Sequence, residues 1–130
     1  MEIFGATAKV YLKYDKGIDK LSIIIRDGLK LPYISIETDS EPPHHLFAYS
    51  ESLGFELWLE ENNEVKGYNF LLKIETELSV DEIFNDRLYN LSPWLAKYLH
   101  VICEIPTCIY NEKTKFHYMV EEGVLKIVEE

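Results

Sequence analysis

The chain has 130 residues, 47% of them hydrophobic, with 23 acidic against 13 basic side chains and a formal net charge of −10. That length fits one domain with a core of its own. No apolar run approaches the ~20 residues needed for a membrane-spanning helix, and acids interleaved with Phe, Leu, Trp and Tyr exclude a disordered polar tract.

The charge is unevenly placed. Residues 1–40 hold six acids and six bases, residues 41–82 ten acids and two bases, and residues 83–130 seven and five, so the three stretches carry 0, −8 and −2. Such a surface repels phosphates, so nucleic acid is not expected as a direct partner. The N-terminal MEIFGATAKVYLKY lacks the charged start, apolar stretch and small-residue cleavage site of a secretory signal, and a cytoplasmic location is expected.

In chain order, Ile3 to Tyr14 reads as a strand, with Val10, Leu12 and Tyr14 on one parity and Tyr11 and Lys13 on the other. Ile18, Leu21, Ser22, Ile25 and Leu29 recur at helical spacing, predicting a helix from 18 to about 28 that ends near Gly28. The β-branched run Ser22-Ile23-Ile24-Ile25 keeps a strand open there. Beyond Pro32, residues 33–37 alternate as a short strand. The Pro42-Pro43-His44-His45 stretch then predicts a loop or connecting arm leading into Leu46 to Ser52.

The clearest pair of elements follows. Phe55, Leu57 and Leu59 alternate with Glu56, Trp58 and Glu60; residues 61–67 carry turn chemistry; and Tyr68, Phe70, Leu72, Ile74 and Thr76 alternate with Asn69, Leu71, Lys73, Glu75 and Glu77. Residues 54–78 thus read as a β-hairpin. Ser79-Val80-Asp81-Glu82 matches a capping box, continued at helical spacing by Ile83, Phe84, Leu88 and Leu91. Ser92-Pro93 marks a second helix start, with Ser92 as N-cap and an apolar stripe of Leu95, Leu99, Ile102 and Cys103. Pro106 ends it. Thr107 to Tyr110 resumes strand, and 116–120 and 124–128 allow one or two more. The expected fold is a single α+β domain over 1–130, a mostly antiparallel sheet with two or three helices on one face.

Residues that carry chemistry are sparse. His44 and His45 point opposite ways in extended chain, so one ion could bind both only in a bent loop, with Glu41 near enough to join. His100 and Cys103 share a helix face but are two ligands only. His117 sits in a terminal strand without an evident partner. Cys103 and Cys108 match neither a redox pair nor a zinc knuckle and read as core residues. Paired carboxylates are too many for one pair to be singled out as general acid and base. No serine-nucleophile, phosphate-loop, zinc-protease or EF-hand pattern occurs, and no cofactor is expected.

The runs PPHHLFAYSESLGFELWLEE and ETELSVDEIFNDRLYNLSPWLAKYL, within residues 41–100, resemble small bacterial immunity proteins encoded beside secreted or contact-delivered toxins, as in contact-dependent growth inhibition. The resemblance implies a cytoplasmic, non-enzymatic protein that binds a cognate toxin domain and blocks it. Its acidic block suits a basic partner, such as a nuclease with a cationic substrate site. Glu56, Trp58, Glu60, Glu61, Glu64, Glu75 and Glu77 form the expected contact set, with Trp58 either an exposed anchor or covered within a second small core. The competing readings are a small metal-dependent hydrolase using His44 or His45 with nearby carboxylates, and a Tyr-rich adaptor.

Overall fold

A computed structural model describes residues 5–38, 40, 42, 45–76, 88–111, 116–121 and 124–129. Its strands are β1 (Gly5–Leu12), β2 (Ser35–Thr38), β3 (Leu46–Ser52), β4 (Phe55–Glu61), β5 (Phe70–Thr76), β6 (Leu88–Asn90), β7 (Thr107–Asn111), β8 (Phe116–Glu121) and β9 (Val124–Glu129). The helices are α1 (Ile18–Gly28) and α2 (Ser92–Cys103). All strands belong to one sheet in the order β2-β3-β4-β5-β1-β7-β8-β9, and the fold is α+β. Every pairing is antiparallel except that of β6 with β1.

Alternation decides which side of the sheet is covered. Ala8, Val10 and Leu12 of β1, Leu57 and Leu59 of β4, and Phe70 and Leu72 of β5 line one face and are buried with Ile18, Leu21 and Ile25 of α1 and Leu95, Ala96 and Leu99 of α2. Both described helices therefore lie on that face, α1 over β3 and β4 and α2 over β1 and β7. The strand alternative for Ser22 to Ile25 loses because Leu21, Ser22 and Ile25 share the buried flank of a helix, and Ser22 Oγ donates to the Asp19 carbonyl at 2.7 Å.

Several local expectations change. Helix α1 does end at Gly28, but its C-cap is Leu29 in the right-handed region, and Lys30 takes the positive φ of 57°. Gly28 is needed where α1 meets α2, since a Cβ there would lie 2.5 Å from Cys103 Sγ, and Tyr98 donates to the Gly28 carbonyl at 2.8 Å beside it. Leu88 and Leu91 do not continue a helix: Leu88 opens β6 and Leu91 is the N-cap of α2. Ser92 lies inside α2 instead of capping it, with its backbone N–H held by Asn90 Oδ1 at 3.0 Å. Its buried hydroxyl accepts the Lys9 N–H at 2.9 Å. That group sits where the outer edge of β1 passes from β6, paired at Gly5 to Thr7, to β7, paired at Tyr11 and Leu12.

Leu46 to Ser52, for which no element was expected, is a full strand that separates β2 from β4. The expected capping box at Ser79 to Glu82, with Ile83 and Phe84, lies outside the described residues, as do Glu41, His44 and Glu77.

Candidate partner-binding face

The sheet face away from the helices carries Glu51, Glu56, Glu60 and Glu75 of the acidic stretch. Because side chains on one face recur every second residue, strand register sorts them into rows. One row runs Glu51–Glu56–Glu75 across β3, β4 and β5. The next runs Tyr49–Trp58–Lys73 and reaches Lys9 on β1. A third runs Phe47–Glu60–Leu71 to Tyr11. Four of the expected contact residues, Glu56, Trp58, Glu60 and Glu75, therefore share one patch.

The other three are placed differently. Glu61 pairs opposite Phe70 at the strand end, is exposed, and reaches the same patch from its rim. Glu64 is in the β4–β5 connection, where one carboxylate oxygen accepts the Tyr11 hydroxyl at 2.9 Å. Glu77 lies outside the described residues.

That connection also resolves the two readings of Trp58. Val65 and Tyr68 fold over the outer face and bury Tyr11, Leu71 and Cys108 with them, so a second small core does exist there. It stops short of Trp58. The indole is half-buried, with its ring centroid 5.6 Å from that of Tyr49 at a tilt of 56°. It also lines an open groove of about 500 Å³ with Phe47, Glu60, Glu61, Lys73 and Glu75.

Glu51 and Glu56 are directly opposed, as are Glu56 and Glu75, which is unfavourable for like charges. Among the described residues the ion pair on this face joins Lys73 Nζ to Glu60 Oε1 at 3.4 Å, with both side chains more than a third exposed. Tyr49 donates to Glu51 Oε1 at 2.6 Å, and this bond, burial and the Glu56 charge hold its phenol well above the ordinary value. Tyr49 is thus a neutral donor and packing partner.

The described histidines and cysteines are scattered. His45 is exposed at the groove edge. His100 Nδ1 lies 3.1 Å from the Ile105 carbonyl, at the end of α2. His117 lies in β8. Cys103 and Cys108 are not joined by a disulfide, and burial raises both thiol pKa values. Among the described residues no three His, Cys, Asp or Glu side chains form a group able to hold a metal ion. No described helix is long and apolar enough to cross a membrane.

Sequence reasoning missed Phe47, Tyr49 and Glu51 as members of this face, and left Lys73, on the parity of Glu75, out of the contact set. The available signal was the parity of Phe47, Tyr49 and Glu51 against Ala48 and Ser50, the two residues that β3 buries on the helix side. No protein-family model matches the chain, and no curated protein matches it at a significant level.

Proposed function

We propose that the protein is a non-enzymatic immunity protein, whose acidic outer face binds and neutralises a basic toxin domain. The supporting observation is the row Glu51–Glu56–Glu75, three carboxylates opposed on neighbouring strands beside the Tyr49–Trp58 pair. A sheet keeps such a row against its own stability when the charges serve another purpose. A cationic partner relieves the repulsion on docking. Long-range attraction speeds encounter, and close charge pairs around a half-buried aromatic slow release.

The test is capture of a partner from the native host by the tagged chain, alongside a variant with Glu56, Glu60 and Glu75 all changed to Lys. The expected partner is a basic protein whose toxic activity the wild-type chain blocks stoichiometrically and the folded triple variant does not. Equal capture and equal inhibition by the two chains would remove the acidic face from the interaction. A partner whose activity is left untouched would remove the immunity role.

A further inference from the structure

The geometry points to the groove beside Trp58 as a cradle for one arginine side chain of a partner protein, stacked on the indole and ion-paired to Glu60, in the position Lys73 now holds. This deepens the reading above and rests on it for the partner's basic character.

Three observations converge. Among the described residues the groove has three carboxylates, Glu60, Glu61 and Glu75, against one ammonium, that of Lys73, so one further cation still leaves these groups short of neutral. Trp58 is already positioned, because Tyr49 packs against it and it lines the groove while half-buried. An incoming group therefore meets an ordered aromatic surface with little side-chain entropy left to lose. Finally, a cation already sits there in weak form. Lys73 lies directly across from Trp58 and reaches Glu60 at 3.4 Å, longer than the 2.7–2.9 Å of a well-formed charge-assisted bond. Both partners are substantially exposed, the setting in which ion pairs contribute little.

Lys73 thus marks where a positive charge is welcome without filling the place well. A guanidinium is better matched. It is planar, stacks on indole, presents two parallel N–H donors to one carboxylate and gives up water more readily than an ammonium. On arrival it takes Glu60, and Lys73 swings to solvent.

The probes are two Gly/Ser peptides of equal length and charge, one with arginines and one with lysines, titrated into the full-length chain. The Trp58 indole N–H is followed by NMR, its resonance assigned by loss in Trp58→Phe. The expected result is a shift of that resonance and roughly three- to fivefold tighter binding of the arginine peptide. Lys73→Met, which keeps the apolar stem, should tighten the arginine peptide further, and by more than Lys66→Met, which removes the same charge outside the groove lining. Equal affinity for the two peptides with an unmoved Trp58 resonance would overturn the cradle, as would equal gains from Lys73→Met and Lys66→Met. Either failure, with the triple Glu→Lys variant still losing its partner, leaves the acidic-face reading standing. Arginine selectivity with partner capture unaffected by that triple variant leaves the cradle standing and that reading not.

Discussion

Glu56 lies directly across the β4–β5 ladder from Glu75 and, on its other side, across β3–β4 from Glu51. Opposed like charges on neighbouring strands destabilise by a few tenths to ~1 kcal/mol each. Glu56 is the shared member of both pairs, so its removal relieves both. Glu56→Thr is expected to raise stability by about 0.5–1 kcal/mol, since Thr suits a pleated surface and keeps the strand. The same change should slow association with a basic partner. Urea denaturation and stopped-flow binding check the two halves. A variant that gains stability and binds unchanged would show the repulsion to be unrelated to recognition.

The turn joining β3 to β4 holds a second conflict between local preference and fold. Ser52 pairs with Phe55, so Leu53 and Gly54 form the two-residue connection, with φ of 52° and 80°. Positive φ at both positions belongs to the hairpin turn that favours Asn-Gly, whereas Leu there is strained by its Cβ. Leu53 is 96% exposed, so its side chain gains little in return. Leu53→Asn should stabilise by about 0.5–1 kcal/mol in thermal or urea melts. Gly54→Ala should cost a similar amount through backbone strain alone, because nothing lies within 4 Å of the added methyl.

The ease of reading this chain tracked how completely each element's own side chains declare its period. The hairpin was legible because Leu57, Leu59, Phe70 and Leu72 are large and buried on one parity while Glu56, Glu60 and Glu75 hold the other. Strand β3 was not, because its inward positions are Ala48 and Ser50, fully buried yet too small or polar to look like core. Ser50 tolerates burial only because its hydroxyl donates to the Tyr33 carbonyl at 2.6 Å, a long-range bond that no spacing rule foresees. The contact set suffered the same way: Glu56 and Trp58 could be paired with Lys73 and Glu75 from the hairpin alone, while Tyr49 and Glu51 entered only with β3. Ser92 misled for a related reason. Its chemistry suits a cap, but tertiary structure assigns its hydroxyl to the Lys9 N–H, and Asn90 does the local work.

At the junction of α1 and α2, two effects of comparable size oppose each other at Gly28. Gly→Ala within a helix gains about 0.8–1 kcal/mol of propensity. The added Cβ, 2.5 Å from Cys103 Sγ, forces a half-buried side chain to move, and overpacking of this kind costs about 1–3 kcal/mol. Gly28→Ala should therefore destabilise the wild-type chain by about 1 kcal/mol. In a Cys103→Ala background the clash is gone, and the same substitution should become neutral or stabilising. A double-mutant cycle by denaturant melts reads that change of sign, and additive effects would place the constraint elsewhere.

The remaining thiol offers a test through pH. Cys108 is 1% exposed beneath Val65 and Tyr68, and burial pushes its pKa up to about 11 from an ordinary 9.0. The folded chain therefore keeps this proton in a range where the unfolded chain loses it. Its contribution is fully present below pH 9, falls as pH rises toward 11, and changes by at most ~1.4 kcal/mol per unit. Cys108→Ala lacks this titration but shares every lysine, tyrosine and carboxylate. The stability difference between wild type and Cys108→Ala should thus shrink by on the order of 2 kcal/mol between pH 9 and 11, measured by urea melts at each pH. At pH 8 a thiol of this pKa has roughly one part in a thousand as thiolate. Labelling of Cys108 by a thiol reagent should accordingly wait for opening of the 62–69 connection. A pH-independent difference, together with prompt labelling of the native chain, would mean that this connection does not seal the outer face as the buried cluster implies.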